Sequence, residues 1–324
     1  MSSASKILLS SAAFSALFFT ACGASDLSQD AAESAVQEPA EIMISADPAA
    51  AMETIAKELA TGNGGILWKA MPASYQSDVN SIAQLAGTKV DSEIYNKSFA
   101  LVGRIAEVAD KQKTFILNTE LGGAQPAEEI AKIEAAWPSI MGFVKSIANS
   151  SIATSAGLQA FDGQSFCYTT VSELIKYSEG MSAISGEELP ISAYSGVSVK
   201  ALESTDTTAT LEMTGPEGDV ETEDFVKVEE RWVPAEMAAD WPTSIADAQA
   251  QLEAMDSEQM AQSKPQILGV ITMLEGVLTQ IEAAESQEQF DQALQGAMMP
   301  IMGLMMMQGG GMGAPSVPAM QMPQ

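Results

Sequence analysis

The chain has 324 residues, 46% of them hydrophobic, which is enough for one large or two modest domains with a substantial core. Its formal net charge of -28 argues against nucleic-acid binding, in which lysine and arginine neutralise phosphates. The absence of histidine excludes Ser-His-Asp and Cys-His nucleophile systems and histidine-ligated zinc or copper sites, and it leaves carboxylate- and lysine-based chemistry open.

Residues 1–21 have the features of a secretory signal peptide. Lys6 supplies a positive charge, the stretch from Ile7 to Thr20 carries none, and small residues precede Cys22. The apolar stretch is too short to span a bilayer as a helix, which takes about 20 apolar residues. We therefore expect this segment to be cleaved.

The cleavage region resembles the lipobox of bacterial lipoproteins. Its positions are filled by Phe19, Thr20, Ala21 and Cys22, with Phe19 in place of the usual aliphatic residue. The resemblance implies that Cys22 becomes the N-terminus and carries acyl chains, and more than one chain makes membrane attachment stable. Gly23 stands where lipoproteins kept on an inner membrane often have aspartate, so the resemblance favours the outer membrane, facing the periplasm. The alternative is an ordinary signal peptide that contains an incidental cysteine.

Residues 22–46 form the next predicted segment, a polar tether that links the lipid to the body. They are mostly small, polar and acidic residues without apolar periodicity. The body is predicted over 47–298 and begins with a helical part over 47–180. In that part Asp47 and Asp91 are the predicted N-caps of two helices, and Ile105 is expected on the inner face of the second.

Two further predictions concern the helical part. Pro126 opens a long helix that Pro138 is expected to kink or divide. Helical spacing from Ser165 to Tyr177 places Cys167 on a buried face, so we expect an inert core thiol rather than a reactive one. Because Cys22 is expected to be acylated, the chain has no second thiol for an intramolecular disulfide.

Alternating apolar residues over 194–234 predict a three-stranded antiparallel meander. The run from Phe225 to Pro234 resembles the closing strand of small NTF2-like or cystatin-like envelope domains, which implies helices that precede a curved sheet. The run from Leu67 to Val79 is similar to a segment of uncharacterised bacterial envelope proteins that also have an RWVP ending. Helices are expected over 235–298, so the predicted fold class is α+β and predominantly helical.

Residues 299–324 are rich in methionine, glycine and proline, and we expect a flexible tail. Thioethers are soft ligands that suit Cu(I), and the candidate ligands in this tail are Met305, Met306, Met307, Met320 and Met322. The alternative is that methionine fills irregular apolar space, and no metal site or cofactor is predicted on that reading.

A second group of candidate ligands is acidic. The period of a strand places Asp219, Glu221 and Glu223 on one face, where carboxylates are suited to Ca²⁺. No EF-hand loop accompanies them. A solvated strand edge that discourages aggregation is the alternative interpretation.

The predicted function follows from the anchor and from the lack of a recognisable active site. We expect a non-catalytic lipoprotein of the cell envelope that binds or scaffolds, with a protein or a small apolar ligand as its partner. The binding site is expected in a cleft between sheet and helices or on helical surfaces. The rival prediction is a carboxylate-dependent hydrolase, since two acids can hydrolyse glycosides without histidine. The oligomeric state is left open.

Overall fold

The computed structural model describes residues 42–119, 121, 126–185, 190–255 and 257–296. The helices that precede the sheet are α1 (Pro48–Ala60), α2 (Gly65–Ala70), α3 (Ala73–Lys89), α4 (Ser92–Lys111), α5 (Lys113–Asn118), α6 (Ala127–Ala148), α7 (Ser155–Gln159), α8 (Gly163–Phe166) and α9 (Ser172–Ser185). The strands are β1 (Ser198–Ser204), β2 (Thr208–Thr214), β3 (Val220–Val228) and β4 (Arg231–Pro234). The helices that follow are α10 (Ala235–Glu253), α11 (Ser257–Glu282) and α12 over 287–296.

The predicted helix starts at Asp47 and Asp91 are confirmed. An oxygen of Asp47 accepts the Ala50 N–H at 2.9 Å, and Asp91 accepts the N–H groups of Glu93 and Ile94 at 3.1 Å each. These bonds satisfy amide groups that have no partner inside a helix.

One of the two predicted effects of Pro138 and one predicted position on α4 differ in the structure. Pro138 does not divide α6, which runs as one helix from Ala127 to Ala148 with α4 and α9 packed against it. Ile105 is 46% exposed, so its predicted place on the inner face of α4 is wrong. The helices that pack against α4 leave this position uncovered, whereas Ile94 and Val108 on the same helix are buried.

The sheet is an antiparallel meander in the order β1-β2-β3-β4. The α+β, predominantly helical fold class is confirmed, but the meander has four strands where three were predicted. The predicted third strand is divided by a two-residue turn at Glu229 and Glu230, which have φ angles of 48° and 64°. Glutamate is not a usual residue for such a turn, so the pattern concealed it. Glu229 is held there because it accepts the Ser74 N–H at 2.9 Å.

The sheet is packed on both faces. One face carries Leu211, Phe225 and Trp232 against a cluster in α1 and α2. The other face carries Val226, Val228 and Val233 against a cluster that includes Tyr75 of α3 and Trp241 of α10. The rings of Tyr75 and Trp241 are stacked, with centroids 4.1 Å apart. The predicted cleft between sheet and helices is therefore filled by core side chains where these clusters pack.

A buried glutamine joins the C-terminal helices to the first half of the chain. Gln112 is 5% exposed, and its Nε2 donates to the carbonyl oxygens of Ile281, Glu282 and Ala284 at 3.0, 2.7 and 3.2 Å. The first two carbonyls belong to the last turn of α11 and the third lies just beyond it, so Gln112 binds the end of this helix from the side. Among the described residues, none of the helices combines the length and the apolar character that a bilayer span requires.

Candidate functional site

An irregular stretch of helical backbone lies between α8 and α9. Residues Cys167–Val171 form a π-helical turn, here called the π segment, within the stretch where one regular helix was predicted. Ser172 bridges this wider turn: its Oγ donates to the Cys167 carbonyl at 3.3 Å and accepts the Gly64 N–H at 2.9 Å. Insertions of this kind are rare and often mark functional sites.

The glycines after α1 permit this contact. A Cβ at Gly64 would lie 2.7 Å from both the Cys167 carbonyl oxygen and the Ser172 backbone nitrogen, so only glycine allows the two backbones to approach. Gly62 has a φ of 88°, a conformation that other residues rarely adopt. The glycine run from Gly62 to Gly65, which matches no phosphate-binding loop, therefore serves to dock this turn on the π segment.

Two open grooves flank the π segment and α9. The first groove has a volume of about 470 Å³ and lies against the C-terminal end of α6. The second groove has a volume of about 530 Å³ and lies against the turn after α1. Residues that line the first groove include Lys145, Ser146, Asn149, Ser150 and Tyr177, and residues that line the second include Tyr168, Lys176, Glu179 and Ser192.

Thr169 and Glu173 line both grooves, and we call this pair the ridge. They are four residues apart, and the first belongs to the π segment while the second belongs to α9. The ridge therefore separates two neighbouring binding volumes with side chains that any ligand spanning both must contact. Both volumes fall in the range of about 300–1,000 Å³ that is typical of ligand sites.

Each groove contains a tyrosine seated on a glycine. A Cβ at Gly142 would lie 2.2 Å from the ring of Tyr177 in the first groove, and one at Gly65 would lie 2.1 Å from the ring of Tyr168 in the second. Any larger residue at either glycine would displace the ring. The two rings therefore lie directly against glycine backbone at the walls of the grooves.

Three hydroxyl groups that line the grooves donate their protons to other groups of the protein. Ser150 Oγ donates to the Ile147 carbonyl at 2.8 Å, and Thr169 Oγ1 donates to the Ser165 carbonyl at 2.7 Å. Ser146 Oγ donates to a carboxylate oxygen of Glu173 at 2.7 Å. A hydroxyl has one proton and two lone pairs, so these groups are left to act as hydrogen-bond acceptors.

Two acids lie at the grooves, and each is held by a serine rather than by the other acid. Glu173 accepts the Ser146 hydroxyl, whereas Glu179 accepts the Ser192 backbone N–H at 3.0 Å and also its hydroxyl. Glu173 and Glu179 are six residues apart on α9, a rise of about 9 Å along a helix. In the first groove, Lys145 pairs with Asp110.

The predicted role of Cys167 as a core residue is confirmed. Its side chain is 7% exposed within the central cluster that also contains Trp68, Phe161 and Phe166. Burial, with a smaller effect of the Asp162 charge, raises the pKa of the thiol to about 12. A thiol that remains protonated at neutral pH is a poor nucleophile, so Cys167 acts here as an apolar residue.

The acidic residues of β3 are arranged differently from the prediction. Asp219 lies in the turn before β3, where its carbonyl accepts the Gly215 N–H at 2.8 Å, so it does not share the strand face of Glu221 and Glu223. Over Val220–Asp224, β3 pairs with β2 but not with β4, so this half is an edge as expected. In the part of the chain that the structure describes, no group of three or more acidic or cysteine residues converges as a metal site.

Glu223 is not the solvated edge residue that was expected. It pairs across the sheet with Leu211, a residue that is 0% exposed, and its own carboxyl is partly buried. Desolvation, followed by the charges of Glu236, Glu221 and Asp224, raises the pKa of Glu223 to about 7. This carboxyl therefore exchanges its proton near neutral pH, in contrast to ordinary glutamates.

Several predicted features lie outside the described residues: the signal peptide, Cys22, most of the tether and the tail with Met305, Met306, Met307, Met320 and Met322. The grooves, conversely, were not predicted. A signal for them was present, since the stretch from Ser165 to Ser172 is rich in hydroxyl residues that compete for backbone hydrogen bonds inside a helix.

Comparison of the chain with protein-family models, curated proteins and solved structures gives no match.

Proposed function

We propose that this protein is a non-catalytic binding protein of the bacterial cell envelope, lipid-anchored at Cys22, which binds its ligand in the two grooves beside the π segment. The observation that carries the binding site is the shared ridge, because Thr169 and Glu173 line both grooves. The π segment is stabilised by the serine bridge and the glycine turn, so the walls of the grooves are already in place before a ligand arrives. Preformed walls reduce the ordering that a ligand has to bring about.

The anchor rests on the lipobox resemblance around Cys22 and gives the body a place at a membrane surface, leaning towards the outer membrane and the periplasm. A tether between anchor and body then leaves the grooves accessible to envelope components. This arrangement suits a receptor or scaffold for material that lies in the same compartment.

A carboxylate-dependent hydrolase is the second candidate, and Glu223 is the observation in its favour. A carboxyl with a pKa of about 7 has the proton that a general acid needs at neutral pH. The binding function is favoured over hydrolysis because these acids do not form a catalytic pair. Glu223 lies beside Leu211 on a face of the sheet that is filled by core side chains. Glu173 and Glu179 lie at the grooves, and each is hydrogen-bonded to a serine.

Native mass spectrometry of the full-length protein, extracted from its own membrane in mild detergent, tests the binding function. We expect a chain that begins at Cys22, an acyl mass increment, and a co-purifying ligand. A chain that is unlipidated and begins elsewhere would overturn the anchor.

The grooves are tested in the same measurement by a pair of matched variants. Thr169 and Thr272 each donate a hydroxyl to the carbonyl four residues earlier, at 2.7 and 2.9 Å, but Thr272 lies on α11. We expect Thr169→Val to lose most of the co-purifying ligand and Thr272→Val to retain it. Equal retention by both variants would remove the grooves as the binding site.

A further inference from the structure

The shape of the site selects an elongated ligand. The two grooves have similar volumes, about 470 and 530 Å³, and they meet at the ridge rather than forming one enclosed chamber. A compact ligand would fill one groove and leave the other without a role. A chain of several linked units can occupy both while it crosses Thr169 and Glu173, whose positions are separated by about 6 Å of helical rise.

The charges of the site select a neutral ligand. The first groove contains Lys145 and Glu173, and the second contains Lys176, Glu173 and Glu179, so each groove holds both signs. A polyamine would meet a lysine in each groove. A polyanion would approach a chain with a net charge of -28, which opposes its association.

The hydrogen-bonding groups select a ligand that both donates and accepts. The hydroxyls of Ser146, Ser150 and Thr169 donate to other protein groups, so their lone pairs and the Glu173 carboxylate act as acceptors. The side chains of Lys145, Asn149 and Lys176 add donors to the same walls. A sugar hydroxyl has one proton and two lone pairs, so each ring presents several groups that can use both kinds of partner.

The tyrosines add the second contact that a sugar uses. A pyranose ring has faces made of C–H groups, which pack against aromatic rings by burial and dispersion. Tyr177 and Tyr168 provide one such ring in each groove, each seated on a glycine. A chain with a sugar unit in each groove would meet both rings.

From these features we propose that the ligand is a neutral glycan chain that lies across the ridge, with a sugar unit packed near Tyr177 in the first groove and another near Tyr168 in the second. This proposal rests on the binding function proposed above and names its ligand class. The glycan hydroxyls donate to Thr169, Ser150 and Glu173. No bond of the glycan is broken.

Calorimetric titration of the full-length protein in detergent tests the ligand class. The probes are two neutral tetrasaccharides, maltotetraose and N-acetylated chitotetraose, with an end-blocked tetra-alanine peptide and spermine as alternatives. We expect saturable binding of at least one tetrasaccharide, and weaker binding of its disaccharide because only one groove is then occupied.

Matched variants locate the binding. The loss of one hydrogen bond in Thr169→Val is expected to weaken the tetrasaccharide by about three- to tenfold, whereas Thr272→Val leaves it unchanged. Ser150 and Ser178 form a second pair, since each donates to the carbonyl three residues earlier at 2.8 Å and only Ser150 lines a groove. We expect Ser150→Ala to weaken binding and Ser178→Ala not to.

The outcomes separate the two proposals. If the peptide or spermine binds and Thr169→Val weakens it, while neither tetrasaccharide binds, the glycan is overturned and the grooves remain the site. If a tetrasaccharide binds equally to Thr169→Val and wild type, the location is overturned. Absence of binding by both tetrasaccharides overturns the glycan, and the co-purification measurement then decides the grooves independently.

Discussion

The π segment and the acidic half of β3 both bring polar groups to the edge of the core, and they do so in opposite ways. At the π segment, Ser172 connects two backbone groups through hydrogen bonds of 2.9 and 3.3 Å between uncharged partners. At the acidic half of β3, Glu223 is surrounded by other carboxylates, with Glu236 the strongest influence among them. The first arrangement stabilises an unusual backbone at any pH, whereas the second costs stability whenever the carboxyl is ionised. The irregular backbone of the π segment is therefore not the part of the molecule that loses stability when a carboxyl ionises.

Gly64→Ala is expected to destabilise the protein more than the other substitutions, because it breaks the contact on which the π segment depends. The new Cβ would lie 2.7 Å from backbone atoms of Cys167 and Ser172, and backbone cannot move aside as a flexible side chain can. We expect a loss of about 3 kcal/mol in the free energy of unfolding. Denaturant unfolding followed by circular dichroism measures it.

The matched control for this variant is Gly269→Ala. Gly269 lies inside α11, and a Cβ there would meet nothing within 4 Å. The same substitution should therefore stabilise the protein by about 0.5–1 kcal/mol, since alanine favours a helix over glycine. Similar unfolding curves for the two variants would show that the glycine turn is not needed for docking on the π segment.

Ser172→Ala tests the serine bridge by itself, because it removes the hydroxyl without adding any atom. The Gly64 N–H would lose its acceptor in a partly buried position. An unsatisfied group of this kind costs about 1–2 kcal/mol. Thermal unfolding of this variant and of Ser178→Ala, which removes a hydroxyl from the same helix, measures the difference. A change as small in Ser172→Ala as in the control would contradict the role of the bridge.

The fold was predictable from the sequence where residues that are close together in the chain determine the local structure. The caps at Asp47 and Asp91 are set by side chains next to the amides they bind. The burial of Cys167 follows from helical periodicity, which holds even though the backbone there is π-helical. These features depend on neighbours in sequence, so the sequence reveals them.

The features that were missed depend on residues far apart in the chain. The turn at Glu229 is held by the Ser74 amide, 155 positions away. The π segment is held by Gly64, 108 positions from Ser172. The grooves beside it exist only where α6, α9 and the turn after α1 meet, and no pattern within one element could indicate that meeting.

Glu223→Gln has the smallest expected effect, and it tests the other half of the comparison. The pKa of Glu223 is raised from 4.5 to about 7 in the folded protein, chiefly by desolvation and next by Glu236. The protonated carboxyl therefore contributes stability that is fully present below about pH 4.5 and is lost as the pH rises through 7.

Replacing Glu223 by glutamine removes this dependence, because the amide stays neutral. At pH 8 we expect the variant to be more stable than wild type by about 1 kcal/mol, a value that allows for solvent screening of a partly exposed group, and at pH 4 we expect no difference. The control is Glu203→Gln, which removes the same charge at an exposed position of β1. Melting temperatures of wild type and the two variants from pH 4 to 8 measure the difference. If Glu203→Gln gains as much stability at pH 8 as Glu223→Gln, the gain comes from the lower net charge of the chain and not from the environment of Glu223.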